Sequence, residues 1–372
     1  MYYNYFSVDK SFRSCPKAKD SAILTRDDAS LISALQIAPR APWSDIGAAL
    51  GISGITAARR WERVRREGLA WVTTAPGLVR HGAQSLAYIE VDCPPARRNT
   101  LAAELSRHPM VLTVELTTGN ADVFLTTAAA NLTAMSHYLL DHLSHVEGIV
   151  STRARLATHI FAEASHWRLS GLERDAVRLL ERSRDAQPGA PDDGPVEMTA
   201  QLQRIAELLN EDGRASYTAL AAATGMSATS VRRYVHALLR SRTLLPRTDV
   251  AAEHTATPVQ VYFFVDAPVA EYAETAKSLT KFREIRVCAT LASSPGMMIC
   301  AWLHTVEELH RLEVAISTRL PKVHIADRLV VLRTVKRQGR LVDSSGRATG
   351  TVPVNIWDDR LEHPAPALVS LE

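Results

Sequence analysis

The sequence predicts an α+β protein in which one two-part unit is built twice. Three observations carry that prediction. The chain resembles itself at a constant offset of 174 residues. Each half opens with helical periodicity and continues into alternating, β-rich segments. Each half also sets an arginine-dense helix behind a glycine turn at the same place. Gly51 aligns with Gly225, Ser53 with Ser227 and Arg59 with Arg233. Upstream, Arg40 aligns with Arg214 and Ala41 with Ala215. Downstream, Tyr88 aligns with Tyr262, Val91 with Val265, Asp92 with Asp266 and Leu105 with Leu279. One ungapped register across helical and strand-like segments alike indicates a tandem duplication.

Within half one, Ile23 to Ile37 reads as an amphipathic helix with Thr25 as its N-cap and Asp27 and Asp28 in its first turn. Ser44 is the expected cap of a short second helix ending at Leu50. Gly51-Ile52 makes a tight turn, Ser53 caps a third helix to about Glu67, and Gly68 stops it. Half two repeats the plan over Met198 to Asn210, Tyr217 to Ala223, the Gly225-Met226 turn and Ser227 to Arg242. Three helices with a short glycine turn before the last form a helix-turn-helix.

Behind each helical unit comes a strand-helix-strand-strand-helix-strand order. In half one the expected strands are Ser85–Val91, Val111–Thr117, Asp122–Thr127 and Val150–Ile160, with helices over Ala96–Arg107 and Asn131–Leu143. In half two they are Gln260–Val265, Ile285–Leu291, Met297–Trp302 and Val323–Val335, with helices over Val269–Lys281 and Val306–Thr318. This βαββαβ order predicts a ferredoxin-like antiparallel sheet with both helices on one face. The other face needs a cover, so two such sheets are expected to pair face to face.

The expected domains are a flexible leader (1–22), helix-turn-helix one (23–72), β-rich domain one (84–160), a helical segment and linker (161–196), helix-turn-helix two (197–246), β-rich domain two (258–336) and a loosely packed tail (337–372). The net charge is only +3, so nucleic-acid affinity has to come from local patches. Such patches exist. Ser53 to Glu67 holds five Arg against two Glu, and Ser227 to Arg242 holds four Arg and no acid. Ala57, Trp61 and Val64 form the inward stripe of the first of these helices, and Val231, Val235 and Leu238 that of the second. That orientation turns Ser53, Gly54, Thr56, Arg59, Arg60 and Arg63 outward in half one. In half two it exposes Ser227, Ala228, Ser230, Arg232, Arg233 and His236. Small residues at a helix start admit a base edge, and arginine bonds guanine or phosphate, so double-stranded DNA is the expected partner.

Four scattered cysteines (Cys15, Cys93, Cys288, Cys300) fit a reducing cytoplasm and no zinc site. No apolar run approaches the ~18 residues of a membrane span. His137, His142 and His145 share one expected helix, but spacings of five and three do not bring all three to one face. No P-loop, G-x-S-x-G or dinucleotide fingerprint follows a strand. No metal, cofactor or catalytic residue is therefore expected.

The runs "GISGITAARRWERV" and "GMSATSVRRYVHAL" resemble the third helix of the Lrp/AsnC (feast/famine) transcriptional regulators, here as two copies fused in tandem. Pro39-Arg40 and Gly213-Arg214 fit the same pattern, and the resemblance covers about residues 23–160 and 197–336. It implies a sequence-specific DNA-binding regulator whose ferredoxin-like (RAM-type) domains bind a small effector such as an amino acid and assemble into homo-oligomers. The family's T-G-x-x-D loop is kept in half one as "TTGNAD", which implies effector contacts at Gly119 and Asp122. Half two reads "ASSPGMM" instead, so the implied pocket is asymmetric. Siroheme decarboxylases resemble the same family and are the alternative reading. They use a His-x-Tyr-x-Arg-like run that neither "GNADVFL" nor "SSPGMMI" supplies, so an enzyme is not expected.

Overall fold

Helices α1 (Arg26–Ile37), α2 (Trp43–Leu50) and α3 (Gly54–Arg66) return as α7 (Ala200–Glu211), α8 (Tyr217–Thr224) and α9 (Ala228–Arg240), each bound shifted by the same 174 residues. This is seen in a computed structural model that describes residues 24–77, 84–163, 168–169, 171–185 and 196–357. The expected leader lies outside the described residues. The strands repeat as faithfully. β1 (Ala70–Pro76) matches β6 (Leu244–Val250), β2 (Ser85–Asp92) matches β7 (Val259–Asp266), β3 (Val111–Thr117) matches β8 (Ile285–Leu291), and β4 (Val123–Ala129) matches β9 (Met297–Leu303). β5 (Ser151–Ala162) corresponds to β10 (His324–Arg337), α4 (Arg98–Leu105) to α10 (Tyr272–Leu279), and α5 (Leu132–His137) to α11 (Glu307–Arg319).

Local chemistry accounts for most of these boundaries. Thr25 and Asp28 form a reciprocal capping box at the start of α1. Ser53 and Ser227 cap α3 and α9 through the backbone N–H groups of Thr56 and Ser230, each at 3.1 Å. Ser44 does not cap α2. That helix starts one residue earlier, after Pro42, and the Ser44 hydroxyl donates to Asp45 instead. The expected helix over Asn131–Leu143 is also divided: α5 passes into a π turn at Tyr138–His142 and then a 3-10 turn.

The two four-stranded sheets close into one barrel within the chain, a choice the sequence leaves open. In the first sheet the order is β3-β4-β2-β5, in the second β8-β9-β7-β10. β5 pairs with β8, and β10 pairs with β3. The two seams are equivalent under the repeat: Ala157 faces Leu291 in one, and Val331 faces Thr117 in the other. The barrel interior holds Phe124 against Tyr262, ring centroids 4.6 Å apart. α4 and α5 cover one outer face over a separate core that includes Leu101, Met135 and Tyr138. α10 and α11 cover the other over Leu279, Leu312 and Ile316.

Two elements escaped the sequence reading. β1 and β6 form a two-stranded antiparallel ribbon joining the helical units, with Thr73 opposite its own repeat counterpart Arg247. The local two-fold of the tandem therefore passes through that pair. The tail is not loose up to residue 357. β11 (Arg340–Val342) and β12 (Ala348–Thr351) form a hairpin on β10, and Val354 and Ile356 are buried. Its anchors are polar, which is why hydrophobic periodicity missed them. The Asn210 side chain accepts from Val354 N–H, and Asn355 donates to Glu207 and Gln203.

Lys336 on β10 is fully buried, and its ammonium donates to the His108 carbonyl at 2.9 Å. Burial pushes its pKa down from 10.5 to about 7. The unfolded chain then binds more protons between pH 7 and 10.5, so stability rises with pH across that window, by at most about 1.4 kcal/mol per unit. Lys336→Met is expected to flatten the rise and to raise stability near pH 6. Chemical denaturation at pH 6 and pH 9 measures both effects.

Candidate nucleic-acid interface

Each recognition helix is set by its inward stripe. Ala57, Trp61 and Val64 of α3, and Val231, Val235 and Leu238 of α9, are all buried as their spacing predicts. Gly51 and Gly225 turn the chain at φ +67° and +70°, a region that glycine enters without a Cβ clash. The opposite faces meet solvent, but not with every residue the pattern assigns to them.

On α3, Thr56 and Arg59 are exposed, and Arg59 makes no ion pair among the described residues. Arg60 is partly engaged with Asp27 at 3.0 Å. Arg63 is turned inward to the buried carboxylate of Asp28 and also reaches Glu67 at 3.2 Å. Burial opposes ionisation of Asp28, but hydrogen bonds from Arg63 and Thr25 outweigh it and hold the carboxyl below the usual range. Gly54 is a packing residue. A Cβ there would sit 2.9 Å from the Trp43 carbonyl, so its hydrogen lets α3 approach α2. Ser53 is exposed but occupied with capping and with the Thr56 hydroxyl, 2.8 Å away.

On α9, Ala228, Arg232 and Arg233 are exposed, and Arg233 lies 5.0 Å over the Tyr234 ring. Ser230 meets the Ser227 hydroxyl. His236 is drawn back to the Tyr217 hydroxyl at 3.0 Å. Burial lowers its pKa, as do Arg232, Arg240 and Arg40. Sequence reasoning missed Ile55, which is 70% exposed in the first turn of α3. Its isolation on a basic face was the available signal. An apolar side chain there suits a thymine methyl. Its counterpart on α9 is Thr229, and Arg232 stands where α3 has Ala58, so the two exposed faces differ.

The two units are clamped by a reciprocal pair of arginines. Arg214 donates to the carbonyls of Pro39 (2.6 Å) and Ala41 (2.8 Å). Its counterpart Arg40 donates to Gly213 and to Ala215 (3.1 Å). Arg214 stacks 4.0 Å over Trp43 and Arg40 lies 5.6 Å over Tyr217, again equivalent positions. Burial and Arg40 lower the Arg214 pKa to about 10, which leaves it charged at neutral pH. α6 (Arg174–Asp185), which has no helical counterpart among the described residues of half two, packs on α1 and α2 with Leu180 buried and Ser183 bonded to Asp45.

The loop after β3 lies on the seam with β10. Gly119 has φ +86°, and a Cβ there would meet the Arg328 carbonyl at 3.0 Å. Asp122 pairs with Arg98 and accepts from Cys93 N–H at 2.8 Å. The equivalent loop of half two is built differently, with Gly296 N–H donating to Asp266 and Tyr272 filling the space a Cβ would need. The three histidines make different contacts. His137 pairs with Asp141 and His145 meets the Asp141 backbone, while His142 packs on His108 with centroids 4.4 Å apart.

Arg63→Ala leaves the Asp28 carboxylate buried with fewer donors. Solvent reaching Arg63 screens part of the loss, so the expected destabilisation is about 1–2 kcal/mol. The Asp28 pKa is lowered on folding, so its stabilisation is present above the ordinary carboxylate pKa and lost as pH falls through the folded value. The gap between Arg63→Ala and the parent is therefore expected to narrow toward acid. Arg59→Ala should leave the melting temperature unchanged. Thermal melts of both variants at pH 7 and in steps below about pH 4, the ordinary carboxylate range, measure this.

Comparison with known proteins agrees with this geometry. The AsnC-type helix-turn-helix domain matches residues 24–65 and again 203–239, and the Lrp/AsnC ligand binding domain matches residues 86–165. An uncharacterized HTH-type transcriptional regulator of Pyrococcus horikoshii is 25% identical over 136 residues, 36% of this chain and 85% of its own length. A counterpart in Pyrococcus abyssi matches to the same extent. The siroheme decarboxylase NirDL, in complex with an iron-uroporphyrin III analogue, superposes with a TM-score of 0.54 at 12% identity. It covers 90% of this chain and 98% of that one, a likeness of fold alone. The chain thus carries both domain types of the Lrp/AsnC regulators, with the helix-turn-helix matched twice and the ligand-binding domain once, in a fold that repeats at one fixed offset.

Proposed function

We propose that the chain is a sequence-specific DNA-binding transcriptional regulator of Lrp/AsnC type, acting in the cytoplasm. The observation that carries this reading is the pair of exposed arginine faces, Arg59 on α3 and Arg232 and Arg233 on α9, on units clamped by Arg40 and Arg214. α3 and α9 enter successive major grooves, and Ile55, Thr56 and Arg59 read one half-site. Ala228, Thr229, Arg232 and Arg233 read the other. Because the faces differ, the operator is asymmetric. Ser53, Ser227 and Ser230 present the helix starts, Arg60 approaches phosphate, and Gly54, Arg63 and His236 hold the helices in place.

A small amino-acid-like effector acting at the Gly119 loop completes this reading. The Asp122 carboxylate is already held by Arg98 and Cys93, so Asp122 fixes the loop that meets the effector. Homo-oligomers form through the outer helical faces. Exposed apolar residues recur there at equivalent positions, Leu132 with Val306 and Leu140 with Val314. The siroheme-decarboxylase-like alternative shares the fold, but this chain reads "GNADVFL" and "SSPGMMI" where the His-x-Tyr-x-Arg-like run would stand, so the protein is read as a non-enzyme without cofactor.

Selection from random duplex DNA with the purified protein should enrich an asymmetric site; failure to enrich any sequence rejects this reading. On the enriched site, Arg59→Ala and Arg233→Ala should each weaken binding by about 1–3 kcal/mol for a base contact. Asp122→Ala should abolish any thermal shift that amino acids induce in the parent protein. A persisting shift places the effector elsewhere.

A further inference from the structure

One cavity in the tandem is not used by the reading above. It lies in the barrel mouth under the β1–β6 ribbon, and its volume is about 130 Å³. It is close to the engineered apolar cavity of ~150 Å³ that binds benzene. Neither Gly119 nor Asp122 lines it.

Its wall is chemically lopsided in a way the repeat makes visible. Arg286, Gln260, Trp302 and Asp249 line it from half two, and the same positions in half one are Leu112, Leu86, Ala128 and Ala75. Arg247 and Arg337 line it as well, opposite Thr73 and Glu163 in the repeat. Half one thus forms the same strands with mainly apolar or small residues at these positions, and the fold does not require the polar wall. Burying charge carries a desolvation cost, and well-packed apolar residues often do as well or better. The half-two charges on this wall are therefore not needed for the strands to form, and half one adds Glu115 and Glu163 of its own to the lining.

The charged groups on it lie close together. Two guanidiniums lie over the Trp302 ring, Arg286 at 3.5 Å and Arg337 at 4.9 Å from its centroid. Arg337 also donates to Gln260 and Thr334. Asp249 takes both ends of Arg247 at 2.8 Å, so that pair is internally balanced. Glu115 accepts from Tyr262 and Gln260 and sits 3.8 Å from Arg337. Burial raises its pKa toward the neutral acid, while Arg337 opposes the rise. Burial and the neighbouring Arg337 press Arg286 down to about 9. Leu86, Leu112, Ile160 and Val287 supply an apolar end to the same cavity.

We infer that this cavity binds a compact organic carboxylate, its anionic end toward Arg286 and Arg337 and its apolar body toward Leu86 and Leu112. The probes are benzoate, isovalerate and 2-oxobutyrate, titrated calorimetrically into the full chain. Saturable binding of at least one is expected, with the neutral isostere benzamide binding at least tenfold more weakly than benzoate if benzoate is the one that binds. Arg286→Leu and Gln260→Leu, which install the half-one residues, should each weaken binding at least tenfold while circular dichroism and melting stay native-like. If Arg286→Leu does not fold, Gln260→Leu and the neutral isostere decide. No saturable binding of any probe, equal binding of benzamide, or unchanged affinity in the folded variants overturns the inference. None of these measurements involves DNA, so their failure leaves the DNA-binding reading standing.

Discussion

Everything in this chain is arranged around the closure of two sheets through two equivalent seams. A four-stranded ferredoxin-like sheet has one face covered by its own helices and one left open, and its outer strands carry unpaired backbone groups. Pairing β5 with β8 and β10 with β3 answers both problems together. The open faces bury Tyr88, Phe124, Tyr262 and Phe264 against each other, and the eight strands form a ring. Because the repeat is ungapped, both seams close with the same register, and the two halves sit about a local two-fold.

That axis reaches the helical units through the ribbon. Thr73 pairs with its counterpart Arg247, and on either side of the axis Arg40 and Arg214 each cap the carbonyls of the opposite unit. Two covalently joined copies achieve what two separate chains do by dimerising, with one difference. Joined copies are free to diverge at equivalent positions. The chain uses that freedom on the solvent-facing sides of α3 and α9, where Thr229 and Arg232 replace Ile55 and Ala58. It uses it again in the barrel mouth, where Leu112 and Ala128 stand opposite Arg286 and Trp302. α6 on the first unit and the β11–β12 hairpin deepen the same asymmetry.

Charge counting overestimated how much of α3 and α9 faces solvent. Arg63 and His236 have the spacing of outward residues, yet Asp28 and Tyr217 draw them in. Both partners come from a different helix of the same unit, so no helical projection of α3 or α9 alone reveals them. Gly54 was legible as a small residue at a helix start. That its smallness serves contact with the Trp43 carbonyl shows only once α2 is in place.

The sequence by itself determined the duplication, the order of elements, the inward stripes of α3 and α9 and the caps at Thr25, Ser53 and Ser227. Each of these depends on periodicity or on neighbours within one turn, and a linear reading contains that information. Only the tertiary structure decided that the sheets pair within the chain, that β1 and β6 form a ribbon and that the tail folds back onto Asn210. It also decided which arginines remain outside. These are partnerships between residues far apart in sequence, made through backbone groups or single side chains. They leave no periodic trace, because what selects them is the burial of polar groups that would otherwise lack partners.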